Sequence, residues 1–126
     1  KKQEAPAIST ASLETPAQTN TSTFIFVKTE HKFQKIYIND ILYIEGLKDY
    51  ISIFTKTERI ITLQNMKKME ETLPSMSFIR VHKSYIVALD KIDSIERSRI
   101  QINDKIIPVG DTYREYFFKL IENKNI

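Results

Sequence analysis

From Phe24 to Val109 the chain is cut into runs of four to six residues rich in Ile, Val, Phe, Tyr and Thr, parted by short polar breaks. Runs this short and this β-branched suit a pleated surface better than a helix, so successive antiparallel strands are expected. The expected strands are Phe24–Lys28, Phe33–Tyr37, Ile41–Glu45, Tyr50–Thr55, Arg59–Thr62, Phe78–Val81, Ile92–Glu96, Arg99–Ile102 and Lys105–Val109. Asn103-Asp104 is the clearest hairpin signal, because Asn and Asp tolerate the positive φ of a tight turn.

Two segments depart from the period of two. After Asn65, the residues Met66, Met69 and Leu73 share one helical face while Lys67, Lys68, Glu70 and Glu71 point outward; Asn65 supplies the cap and Pro74 the stop. Thr112 followed three residues later by Glu115 has capping-box spacing, and Tyr113, Tyr116, Phe117, Leu120 and Ile121 form the stripe of a terminal amphipathic helix that packs on a sheet. The run Ser84 to Asp90 reads either as strand or as helical turns. Gly46 after a strand and Gly110 before a helix stand where the backbone is expected to turn sharply. The fold class expected is mostly β, with small antiparallel sheets, one short helix and a C-terminal amphipathic helix.

A length of 126 residues suits one domain and a tail. Residues 1–23 are Ala, Thr, Ser, Pro, Gln and Asn without an apolar period, a composition that cannot offset its ordering entropy, and are expected to be a flexible interdomain linker ahead of a domain at 24–126. The apolar runs are far shorter than a membrane span of about 20 residues, and the first residues lack the apolar stretch of a secretory signal. Cysteine is absent, which excludes disulfides and thiolate metal sites and fits the reducing cytoplasm. Lys1, Lys2, Glu4 and Glu14 cancel, so the net charge of +3 lies wholly in residues 24–126, as a localised nucleic-acid footprint or an ordinary soluble surface would have it.

Catalysis finds little to stand on. His31 and His82 are isolated, no serine sits in a nucleophile elbow, and neither glycine has a second beside it to cradle a phosphate. No enzyme activity, metal or cofactor is expected. What remains are polar residues where strands end. Lys48 and Tyr50 follow Gly46 and suit a phosphate and a sugar, or form an ordinary surface turn. His82, Lys83 and Ser84 offer consecutive donors, and lysine can bond the acceptors of guanine in a major groove. Arg80 reads as a brace for a carboxylate within the fold or as a further contact. Gly110 to Arg114 joins backbone N–H groups at a helix start to a guanidinium, which suits a phosphate; equally, Asp111 and Thr112 cap the helix and Arg114 is solvated. Lys67 and Lys68, followed at once by Glu70 and Glu71, read as a self-paired exposed face.

Three blocks, Ile41-Leu42-Tyr43-Ile44-Glu45-Gly46 through Lys48-Asp49-Tyr50, Phe78-Ile79-Arg80-Val81-His82-Lys83-Ser84-Tyr85-Ile86-Val87, and Ile106-Ile107-Pro108-Val109-Gly110-Asp111-Thr112-Tyr113-Arg114, resemble the LytTR domain in order and spacing. The resemblance covers Phe24 to Ile121. It implies an elongated set of small β-sheets, not a helix-turn-helix, serving as the DNA-binding output domain of a two-component response regulator. It also implies loops that enter successive major grooves, paired promoter sites, an upstream receiver domain through which a homodimer forms, and a sensor histidine kinase acting on that receiver. Carried over residue by residue, it points to Lys48 and Tyr50 in the first loop and to His82 and Lys83 in the second, with Arg114 as a further phosphate contact; Ser84 joins the expected DNA-binding residues as the third of the consecutive donors. Where the family often carries arginine this chain has Asp111, a departure that bears on target preference. Two rivals stand beside duplex DNA binding: a protein-interaction module that receives a partner's strand on an exposed edge, and an RNA-binding β domain, for which no aromatic platform is evident in the sequence.

Overall fold

A computed structural model describes residues 23–125. The linker expected at 1–23 lies outside the described residues except for its last position. The described residues form ten strands and two α-helices: β1 (Phe24–Lys28), β2 (Phe33–Tyr37), β3 (Ile41–Leu47), β4 (Tyr50–Thr55), β5 (Arg59–Leu63), α1 (Met66–Thr72), β6 (Phe78–His82), β7 (Tyr85–Ala88), β8 (Ser94–Glu96), β9 (Arg99–Ile102), β10 (Lys105–Pro108) and α2 (Asp111–Glu122). The mostly β class and the two helices agree with the sequence reading. The strands build a five-stranded sheet in the order β5-β4-β3-β7-β6, a two-stranded β1-β2 sheet and a three-stranded β10-β9-β8 sheet, all antiparallel.

Strands β4, β3, β7 and β6 of the five-stranded sheet are buried on both faces, because they carry apolar residues at successive positions and not only at alternate ones, whereas the edge strand β5 buries alternate residues. On β6, Phe78 joins one core with Ile44, Ile51, Ile53 and Ile86, covered by β1, β2 and α1. Its neighbours Ile79 and Val81 join the other with Tyr43, Val87, Ile100, Ile107 and Phe117, covered by the three-stranded sheet and α2. Ile41, Ile44, Ile51, Ile53, Ile100, Ile107 and Phe117 are wholly shielded from solvent. Each such side chain stabilises the fold by about 1.5–3 kcal/mol relative to exposure, and a one-residue slip of any central strand would reverse both faces together.

Local chemistry sets the remaining boundaries. Asn65 caps α1 as expected, its Oδ1 accepting the Lys68 N–H at 2.8 Å, and Met66, Met69 and Leu73 are buried. The Asn103-Asp104 hairpin forms, with Asn103 at φ 52° and its N–H donating to Asp93 Oδ2 at 2.7 Å. Three readings need correction and one left open is resolved. Ile92 ends a 3-10 turn (Leu89–Lys91) instead of opening a strand, so β8 begins at Ser94. The undecided run Ser84 to Asp90 contains both alternatives, β7 followed by that turn. Helix α2 is capped by Gly110, and no side-chain capping bond forms, so the Thr112–Glu115 box is not used. Neither glycine has positive φ; β3 runs through Gly46 to Leu47. Both glycines serve close approach: a Cβ on Gly46 would meet Met66 Cγ at 3.0 Å and Sδ at 3.2 Å, and one on Gly110 would meet Tyr113 Cδ2 at 3.3 Å.

Candidate nucleic-acid interface

Two hairpin turns close at the same end of the central sheet. Lys48-Asp49 joins β3 to β4 between the paired residues Leu47 and Tyr50, and Lys83-Ser84 joins β6 to β7 between His82 and Tyr85. Because β3 pairs with β7 through Glu45 and Tyr85, the two tips are neighbours, and the Gly46 N–H donates to Ser84 O at 2.8 Å. Lys48, Tyr50, Lys83 and Ser84 consequently share one shallow concavity of about 260 Å³, with Gln64, Asn65 and Met66 lining its other side. The lining is two ammonium groups, a half-exposed phenol, a hydroxyl and two amides, against an apolar floor of Ile51 and Met66.

The second turn is held from three directions. Arg80 donates from Nη2 to Lys83 O at 2.6 Å and from Nε to His82 O at 3.3 Å, while its Nη1 meets Glu70 Oε1 of α1 at 3.3 Å. Its guanidinium lies 5.9 Å from the centroid of the Tyr113 ring of α2. Of the two readings for Arg80, the brace describes this geometry, and one side chain links the turn to both helices. His82 Nδ1 accepts the Ser84 N–H at 3.1 Å, which in the neutral ring leaves the proton on Nε2, the outer donor. The ring stands edge-on to Tyr85 at 5.7 Å. His82 therefore flanks the concavity from the far side of its own turn, toward α2, whose cap Gly110 donates its N–H to Val81 O at 2.7 Å.

Arg114 is not drawn into this cluster. It lies on the first turn of α2, half exposed, with Nη2 3.4 Å from Asp111 Oδ1, a carboxylate almost fully in water. The capping half of the alternative reading fails for Thr112, and the solvated half holds for Arg114. Gln64 and Asn65 were not singled out by sequence reasoning as site residues. The signal was present in the Asn65 cap, since the residues around a helix start that follows a strand are set at that strand's end.

Behind the tips, Tyr85 Oη donates to Glu45 Oε2 at 3.1 Å, and Lys105 of β10 lies with its ammonium 5.6 Å from the Tyr85 centroid. Burial tends to lower the Lys105 pKa, but the charge and hydrogen bond of Tyr85 together with the charges of Glu45 and Tyr43 outweigh it, and the net shift is upward. Burial also raises the pKa of Tyr43, which stacks on Phe54 at 4.5 Å. Among the described residues no group of three or more His, Asp or Glu side chains is arranged to hold a metal ion, and no helix is long and apolar enough to cross a membrane.

Residues 31–122 match the family model of the LytTr DNA-binding domain. The sensory transduction protein LytT of Bacillus cereus is 28% identical over 98 residues, which span 73% of this chain and 40% of that protein; LytT of Bacillus anthracis matches to the same extent. The chain thus spans about two fifths of the length of those relatives. The transcriptional regulatory protein YpdB of Escherichia coli is 36% identical over 59 residues, 47% of this chain and 24% of that protein. A solved LytTr DNA-binding domain from Bacillus cereus shares the fold, with a TM-score of 0.69 at 24% identity over 79% of this chain and 97% of the other.

Proposed function

Because the chain belongs to the LytTr DNA-binding domain family, we propose that it binds double-stranded DNA in a sequence-dependent way, as the output domain of a transcriptional regulator in a two-component system. The observation that carries this reading is the meeting of Lys48, Tyr50, Lys83 and Ser84 at one end of the sheet. Two adjacent hairpin tips with cationic and hydroxyl donors suit a major groove, where lysine and hydroxyl groups meet base acceptors while neighbouring cations meet phosphates. Lys83, Ser84 and the outer donor of His82 approach base edges; Lys48 and Tyr50 hold the backbone beside them. Arg114, exposed at the start of α2, is a peripheral phosphate contact. No cofactor is needed for any of these contacts.

The larger setting follows the relatives, whose names are those of signalling and regulatory proteins longer than this chain. Residues 1–23 are a linker to an upstream receiver domain that a sensor histidine kinase phosphorylates, in the cytoplasm. Dimerisation of receivers then places two output domains on paired promoter sites, raising affinity through effective concentration without a new contact.

Selection of bound duplexes from a random pool, followed by His82→Ala and Lys83→Ala on the selected site, tests the reading. Loss of preference in the variants is expected; unchanged affinity and preference would remove the second tip from it. Affinity must also fall steeply with added salt, because phosphate contacts release counterions. A salt-independent complex would favour the strand-edge protein partner instead.

A further inference from the structure

The outer face of the β1-β2 sheet gathers four large apolar side chains that the described residues leave exposed. Register places Phe24 beside Tyr37, Phe26 beside Lys35, and Lys28 beside Phe33, all six pointing away from the core while Val27 and Ile36 are buried beneath. Phe24, Phe26, Phe33 and Tyr37 are 43%, 59%, 68% and 40% exposed. Clustered exposed rings of this kind mark an interface more often than a bare surface.

The rings are not laid out to stack nucleobases. Phe26 and Tyr37 stand edge-on to Phe24, at 87° and 79°. The Lys35 ammonium already covers the faces of Phe24 and Tyr37, at 4.2 and 4.8 Å. A stacking platform needs open, parallel ring faces, so the face fits a protein partner better than a single strand of nucleic acid.

We propose that this face binds a second copy of the same chain, related by a two-fold axis that runs along the strands. Such an axis lays β1 of one copy over β2 of the other, level by level. Phe24 then meets the second copy's Tyr37, Phe26 meets Lys35, and Lys28 meets Phe33, each contact occurring twice as an isologous interface requires. Every lysine lands on an aromatic ring, a favourable cation–π pairing, and no lysine lands on a lysine. A two-fold axis across the strands instead sets Lys35 on Lys35. The register thus selects one self-complementary arrangement. Two strands of five residues offer roughly 17 Å by 10 Å, far below the roughly 800 Å² per partner of a stable dimer. The contact is accordingly weak alone, with a Kd on the order of millimolar, and acts when two copies are already held near each other.

The experiment is a concentration series of the 126-residue chain by NMR, without DNA, so that its outcome is independent of the DNA-binding reading. Amide shifts that move with concentration should map to residues 24–37. Phe26→Lys sets lysine on Lys35 and should weaken association about tenfold, whereas Phe26→Lys with Lys35→Phe restores the alternation and should return it to within about twofold. All substituted positions are exposed, so retained dispersion of the core resonances verifies the fold. Absence of concentration-dependent shifts up to about 1 mM overturns the proposal. So does mapping to another surface, failure of the double variant to restore association, or occupation of this face by a single-stranded oligonucleotide in preference to self-association.

Discussion

Replacing Arg80 with alanine removes a side chain that fastens the β6-β7 tip to both helices. Its 2.6 Å bond to Lys83 O has a charged donor and belongs to the class worth about 1.5–3 kcal/mol, while the 3.3 Å bond to His82 O adds little. The ion pair with Glu70 contributes under about 1 kcal/mol, because that carboxylate is half exposed. Water can reach the freed Lys83 carbonyl at the tip, which returns part of the loss. The net expectation is about 2 kcal/mol, seen as a shift of the urea midpoint at constant slope. Lysine at the same position keeps the charge near Glu70 but lacks the fork, and should recover about half. In DNA binding, Arg80→Ala should cost sequence discrimination more than salt slope, since no phosphate contact is deleted while the tip loses its fixed shape. The reasoning is refuted if Arg80→Ala melts within about 0.5 kcal/mol of the parent and keeps its ranking of sites.

Lys48→Ala should weaken binding alike on all duplexes and reduce the salt slope by about one unit, measured by titration across several salt concentrations; loss confined to one sequence would make Lys48 a base reader. Gly46→Ala drives a methyl against Met66, at 3.0 Å from Cγ, and should destabilise by about 1–3 kcal/mol. In a double-mutant cycle that penalty should shrink markedly with Met66→Ala, and simple additivity would place the strain elsewhere. The upward shifts of Lys105 and Tyr43 mean that the folded chain holds both protons more tightly than the unfolded one. Their stabilisation is complete below the ordinary lysine and tyrosine range near pH 10 and is lost as pH rises through the higher folded values. Alkaline denaturation curves should therefore steepen there, and Lys105→Met with Tyr43→Phe should flatten them.

Much of the scaffold is legible in the sequence because local signals and burial agree. Asn65, the Met66–Met69–Leu73 stripe and Asn103-Asp104 each announce an element that forms, and short β-branched runs announce the strands. The errors fall where tertiary contact decides. Gly46 looks like a turn residue, yet it is a strand residue whose missing Cβ admits Met66 from a helix twenty positions on. Thr112 and Glu115 have the spacing of a box, but docking of Gly110 onto Val81 fixes where α2 begins. At the site, Lys48, Tyr50, Lys83 and Ser84 came from two of the three quoted blocks, and only the β3-β7 pairing makes those two adjacent. The roles of Gln64 and Asn65 as lining, and the aromatic outer face of β1-β2, required register between strands that sequence does not print.

The two tips are closures of only two residues each, and the strands leading to them are locked in register by cores on both faces of the sheet. On the proposed DNA-binding reading, side-chain changes at 48–49 and 83–84 alter the surface offered to a duplex, while the two cores, which contain none of these residues, keep their contacts. Recognition can drift under selection while foldability stays constant, and a laboratory library confined to those four codons would explore new operators on an unchanged chassis.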